Sequence, residues 1–217
     1  MPVVHVKICG VRTVEDAVSA VAAGASAIGV NFIASSPRRV EVGTALAIAR
    51  AVHAEPSHTP DGTKVIVVGV VADLPLDALR ALVRDAELDC LQLHGDEPHD
   101  VLTALLPHAY KAVRIATAED AARAAQVPGD YLLVDAKVEG ALGGTGHTFD
   151  WHLVEDLART RHLTLAGGLR PENVEGAVRA LRPYCVDVAS GVESAPGVKN
   201  PALVAAFVAA ARRGCST

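Results

Sequence analysis

Read for apolar and polar positions alone, the chain repeats one unit: a short apolar run, then an Ala/Leu/Val-rich stretch with helical spacing. "VVHVKIC" precedes "TVEDAVSAVAAG", where Thr13 is placed to cap a helix and Gly24 to stop it. "AIGVNF" leads to "VGTALAIARAV", and "KVIVVGVVA" to "LDALRALVRDA" with Pro75 near the helix start. "CLQLHG" leads to "PHDVLTALL", and "YKAVRI" to "AEDAARAAQV" behind a second capping threonine, Thr117. "YLLVDA" with "FDWHLVEDLAR", "LTLAGG" with "ENVEGAVRAL" and "VDVASG" with "PALVAAFVAAARR" make eight strand–helix pairs in order.

Strict alternation of strand and helix forces parallel strands joined by helical crossovers. Eight such units predict a closed (β/α)8 barrel, one domain over residues 1–217. The rival is an open doubly wound sheet, whose mark is a G-x-G-x-x-G turn after the first strand. Here that turn is "CGVRTV", with a single glycine, and "GGTGHT" does not have Walker A spacing. Residues 53–63, "HAEPSHTPDGT", are polar and turn-rich and predict a long surface loop, because the repeat continues through them.

A closed barrel changes how the first strand is read. His5, Lys7 and Cys9 alternate with Val6 and Ile8, and in a barrel their polar face points into the lumen. Cys9 then sits at the C-terminal rim, where barrels of this type carry their active sites. The same parity places Cys90, Gln92 and His94 in the lumen, while Asp135 ends the sixth strand and Asp187 lies on the eighth. "SSPRRV" follows the second strand. Taken singly, each residue has a plainer reading: Cys9 as packing, Asp135 as a helix cap or a partner of Lys137, His94 as a lumen hydrogen-bonder, Arg38 and Arg39 as solvated loop. Their convergence on one face favours chemistry. The turns after strands seven and eight, "AGGL" and "ASGVE", are glycine-rich, so backbone amides there can approach a phosphate. Residues 139–151, "EGALGGTGHTFDW", predict a pliable loop able to close over a ligand beside Asp135.

Composition narrows the class. Apolar residues are 50% of the 217, which argues against disorder. A net charge of −5, 3% aromatic residues and no basic run argue against a nucleic-acid surface. The N-terminus lacks the pattern of a secretory signal, and "VIVVGVVA" and "LVAAFVAAA" are too short to span a bilayer. Four scattered cysteines without a C-x-x-C pair fit neither a disulfide framework nor a structural zinc site, so a reducing cytoplasm is expected. No apolar stripe stands out beyond what eight helices need; a monomer is the default expectation, with a homodimer left open.

The motifs "KICG", "QLHGDE", "LLVDAKV", "GGTGHTFDW", "LAGGLRPENV" and "VDVASGVESAPGVKN" resemble phosphoribosylanthranilate isomerase of tryptophan biosynthesis. The resemblance runs from the first strand to the last helix. It implies a (β/α)8 barrel without metal or organic cofactor that converts N-(5′-phosphoribosyl)anthranilate to 1-(2-carboxyphenylamino)-1-deoxyribulose 5-phosphate by an Amadori rearrangement. Carried onto this chain, Cys9 matches the general base, Asp135 the general acid and Arg38 the arginine that holds the anthranilate carboxylate. His94 and Asp187 match substrate-pocket positions, and Gly167, Gly168, Ser190 and Gly191 the phosphate loops. Four positions depart from the family pattern: His147 for a lysine, Arg12 for a threonine, Asn31 for an apolar residue and Arg170 for an asparagine.

The chemistry asks for the same residue types. Opening a furanose aminal needs a proton on the ring oxygen, and forming the enolamine needs a base at C2′. A thiolate serves as that base if its surroundings favour the anion, and Lys7 is placed to help. Two other readings stand beside this one. A histidine-pathway phosphosugar isomerase would use two aspartates, which Cys9 opposes. A non-catalytic phosphosugar-binding barrel would not need Cys9, Asp135 and Arg38 together.

Overall fold

A computed structural model describes residues 3–56, 59, 61–135 and 152–215. The "GGTGHT" loop and its His147 lie outside the described residues. Eight parallel strands close into a barrel in sequence order: β1 (His5–Cys9), β2 (Ala27–Asn31), β3 (Ile66–Val71), β4 (Cys90–Leu93), β5 (Ala109–Arg114), β6 (Tyr131–Asp135), β7 (His162–Ala166) and β8 (Cys185–Val188). β1 pairs with both β2 and β8, which seals the barrel. The helices between and after them are α1 (Val14–Ala22), α2 (Val42–Ala54), α3 (Leu76–Asp85), α4 (His99–Thr103), α5 (Ala118–Ala125), α6 (His152–Thr160), α7 (Val174–Leu181) and α8 (Pro201–Arg213).

The helix signals act as their chemistry requires. Thr13 accepts from the Asp16 amide at 3.1 Å, and Thr117 with Asp120 forms a reciprocal capping box. Asn200 caps α8 ahead of Pro201, whose missing N–H costs nothing at a first turn. Gly24 follows α1 at φ +96°, and the Arg212 guanidinium occupies the space a side chain would need. α4 is shorter than the apolar pattern "PHDVLTALL" suggests, since its helix gives way to turns after Thr103. The loop after α2 does not simply run over the surface: Thr59 is buried, and Asp61 lies 3.6 Å from His5 at the N-terminal end of the lumen.

Strand parity divides the core in two. Outward residues such as Val6, Ile8, Ile28, Leu91, Leu132, Leu163 and Val186 pack under the helices against Ile48, Leu79 and Phe207. Each fully buried leucine or isoleucine there contributes about 1.5–3 kcal/mol. Inside the lumen a smaller apolar plug forms from Ala27, Val68, Tyr110, Ala112, Leu133 and Ala166. Below it the rings of His5, Tyr131, His162 and Tyr184 gather, with centroids 4.5–5.5 Å apart. Above the plug the lumen turns polar. One element beyond the eight-unit pattern follows β8: a 3-10 turn (Ser190–Val192), then a hairpin of β9 (Glu193–Ala195) and β10 (Val198–Lys199).

Candidate active site

The polar end of the lumen opens into a cavity of about 270 Å³ at the C-terminal strand ends. Cys9, Arg38, His94, Asp135, Gly167, Gly168, Asp187, Ser190 and Gly191 all line it. Every site residue expected from the sequence is therefore brought to one place. A neighbouring cavity of about 480 Å³ runs along β4–β6 and shares His94 and Asp135.

Two glycines make room for this constellation. Gly29 is Cys9's register partner on β2; a Cβ there would lie 2.9 Å from the Cys9 Sγ and 3.2 Å from the Lys7 Cε. The thiol and the lysine stem fill that space together. Gly10 adopts φ +74°, and a Cβ on it would fall 2.3 Å from the Arg38 Cδ. The glycine after Cys9 thus lets Arg38 lie across the end of β1.

Beneath Cys9 sits a buried charge network. The Lys7 Nζ donates to the Asp187 Oδ1 at 3.1 Å and to the Gln92 Oε1 at 2.9 Å. The Tyr110 hydroxyl donates to the same Gln92 oxygen at 3.1 Å, and the Gln92 Nε2 meets the His94 Nδ1 at 2.9 Å. Burial alone would push the Lys7 ammonium down, but Asp187, Cys9 and Tyr110 outweigh it and hold it well above the ordinary lysine value. Burial pushes the Cys9 thiol up, and Asp187 adds to this; Lys7 and Lys199 pull it back without winning. The resting group is therefore a neutral thiol with two ammonium groups near it. Burial also lowers His94, so its ring is neutral at pH 7.

Arg38 is not free in its loop. Its Nε and Nη2 donate to the two Glu193 carboxylate oxygens, each at 2.7 Å, a bidentate fork. Asp187 is likewise engaged with Lys7, so neither residue faces the cavity as an isolated charge.

The glycine turns divide into two kinds. Gly168 adopts φ +67°, and a Cβ on it would have no atom within 4 Å, so its upper side is open. Asn173 braces that turn, donating to the Gly168 carbonyl at 3.1 Å and accepting from the Arg170 amide at 2.7 Å. Gly191 is a glycine for a different reason: a Cβ there would lie 2.0 Å from the Leu169 carbonyl oxygen. Its identity is required by the close approach of the turns after β7 and β8, so a bulky residue at 191 would perturb packing as well as any ligand.

A family model described as N-(5'phosphoribosyl)anthranilate (PRA) isomerase matches residues 6–210. The N-(5'-phosphoribosyl)anthranilate isomerase of Myxococcus xanthus is 46% identical over 214 residues, covering 96% of each chain. The chain belongs to the N-(5'-phosphoribosyl)anthranilate isomerase family. The crystal structure of the Thermotoga maritima phosphoribosyl anthranilate isomerase superposes with a TM-score of 0.82 at 35% identity, covering 96% of this chain and 98% of that one. A family structure in complex with reduced 1-(o-carboxyphenylamino)-1-deoxyribulose 5-phosphate gives 0.80 at 33% identity, with the same coverage. A further Thermotoga maritima structure, of monomers generated from a dimeric isomerase, gives 0.79 at 32%, again with that coverage.

Within this isomerase family, the chain's departures find local uses. Asn31 accepts from the Ile33 amide at 2.8 Å and shapes the turn out of β2. The Arg12 side chain packs where a Cβ on Gly197 would sit, against the β9–β10 hairpin. Arg170 contributes its amide to the Asn173 brace. The site also holds charged residues that sequence reasoning missed. Glu193 and Lys199 are buried beside Arg38, and Glu97, paired with Lys111 of β5, accepts from the Asp73 amide at 2.9 Å and ties the loops after β3 and β4 to that strand. Their burial was the missing signal, because charged residues are rarely buried without a partner.

Proposed function

We propose that this chain isomerises N-(5′-phosphoribosyl)anthranilate with Cys9 as general base and Asp135 as general acid, in a single barrel domain. Asp135 protonates the ribose ring oxygen as the C1′–O bond breaks and the nitrogen lone pair forms a C1′=N iminium. Cys9, having first released its thiol proton to solvent, takes the C2′ proton as thiolate; the C–H electrons form C1′=C2′, and the C1′=N electrons return to and neutralise the nitrogen. The enolamine then loses its C2′ hydroxyl proton and gains one at C1′, giving the ketone. Lys7 favours the thiolate from below, and its bond to Asp187 holds it there. Arg38 receives the anthranilate carboxylate, His94 and Asp187 shape the pocket, and the amides around Gly167, Gly168, Ser190 and Gly191 receive the phosphate.

The observation that carries this reading is the joint presence of Cys9, Asp135 and Arg38 with both glycine turns on one cavity. Four free cysteines, two of them buried, suit a reducing cytoplasm. Among the described residues no helix is long and apolar enough to cross a membrane. Among the described residues, the exposed large apolar side chains, Val3, Ile66 and Tyr131 at one end and Val14, Val42, Leu74 and Val198 at the other, form no single face, which supports a monomer.

Turnover is read as loss of substrate fluorescence on mixing with N-(5′-phosphoribosyl)anthranilate. Cys9→Ala and Asp135→Asn should each lower kcat by about 10²–10⁴ while leaving the thermal transition in place. Absence of turnover by the unaltered protein, or near-normal turnover by Cys9→Ala, would overturn the assignment.

A further inference from the structure

Beside the groups assigned to the reaction stands a buried pair that exchanges no proton in it. The side chains of Glu193 and Lys199 are 4% and 2% exposed, and the two residues face each other across the β9–β10 hairpin. The Lys199 Nζ donates to the Glu193 Oε1 at 2.8 Å and to the Ala189 carbonyl, the last before the turn at Ser190, at 3.0 Å. Both Glu193 oxygens also accept from Arg38. Burial alone would raise the Glu193 carboxyl, but the hydrogen bonds from Arg38 and Lys199 outweigh it and keep it ionised.

This arrangement does two things to Arg38. The Glu193 fork takes up the Nε–Nη2 edge, so the guanidinium meets a second carboxylate end-on, through Nη1 and the remaining Nη2 hydrogen. One carboxylate between two cations also leaves the cluster with a single net positive charge, enough for one incoming carboxylate. With Gly10 below and Glu193 at its side, Arg38 has its direction set before any ligand arrives, and an arginine held in advance loses less freedom on binding.

We propose that Glu193 is a positioning residue that aims Arg38, and that Lys199 anchors it, so that the hairpin after β8 sets the preference for substrates bearing a carboxylate at the end away from the phosphate. The inference rests on the isomerase reading above. Its test uses the full chain. Glu193→Gln keeps the shape and removes the charge, while Glu193→Gln/Lys199→Met removes both buried charges and covers the case in which the single variant does not fold. Both should raise KM for N-(5′-phosphoribosyl)anthranilate by roughly ten- to a hundredfold, with kcat falling less than KM rises. In Glu193→Gln, where Lys199 keeps its bond to the Ala189 carbonyl, inhibition by inorganic phosphate should stay within about twofold, because the phosphate turns do not use Arg38. Arg38→Ala added to Glu193→Gln should raise KM by much less than it does alone, as expected for residues acting through one another.

Unchanged KM in both variants would overturn the proposal. So would a phosphate inhibition constant of Glu193→Gln rising in step with its KM, which marks a general scaffold, or an undiminished effect of Arg38→Ala in the Glu193→Gln background. Each of these results leaves wild-type turnover intact and the isomerase reading standing. Absence of wild-type turnover instead removes that reading and this inference with it.

Discussion

Replacing Lys7 with methionine tests whether the charge network below Cys9 carries both stability and reactivity. Lys7 is 2% exposed and its partner Asp187 9% at the side chain, with 3.1 Å between nitrogen and oxygen. At that distance and an effective dielectric of about 20, the gross attraction is roughly 5 kcal/mol. Burying both charges offsets most of it, so the intact pair adds little net stability. Removing one partner leaves the other's desolvation uncompensated, at a cost of about 3–5 kcal/mol. For a chain of this size that is a fall in Tm of roughly 6–20 °C. Gln92 keeps the Tyr110 hydroxyl, so the loss falls mainly on Asp187. Lys7→Met/Asp187→Asn should therefore recover most of the Tm, because no charge is left buried alone. Turnover should not recover, because the cation nearest the Cys9 thiol is still missing. Differential scanning calorimetry and the fluorescence assay on the same preparations read the two effects separately. A double variant as unstable as Lys7→Met, or a Lys7→Met protein within about 1 kcal/mol of wild type, would refute the reasoning.

Two further outcomes follow. Alkylation of Cys9 by iodoacetamide in the free protein should rise with pH through a midpoint above the usual thiol value of 9.0, since burial favours the protonated form; Lys7→Met should move it higher still. Cys90 and Cys185, pushed up to about 12 by burial, should stay silent, and a midpoint below the usual value would contradict the burial argument. Gly10→Ala should raise KM about tenfold and cost about 1–2 kcal/mol, because the added Cβ meets the Arg38 Cδ in a left-handed backbone; an unaltered KM would show that Arg38 does not depend on that seat.

Much of the fold is written locally. Thr13, Thr117 and the period-2 strands follow from residues close in the chain, and the lumen parity of Lys7, Cys9, Gln92 and His94 follows once eight units are counted. The hairpin after β8 escaped because strands of three and two residues are too short for any period to register. The partnerships of Arg38 escaped for another reason. Glu193 is 155 positions away, and no local spacing announces a pair that exists only when two loops meet over a closed barrel. Gly191 was legible as a glycine turn but not as one imposed by the Leu169 carbonyl.

The ion pair between Lys7 and Asp187 joins residues 180 positions apart, across the seam where the first strand meets the last. During synthesis, Cys9 emerges early and stays an ordinary cysteine until β8 follows it out of the ribosome. The reactive environment is thus made by ring closure itself, and a partly built chain has no half-working form to release. A chain severed between β6 and β7 would be inert as separate pieces. Activity on mixing them would report, in one reading, that the ring had sealed.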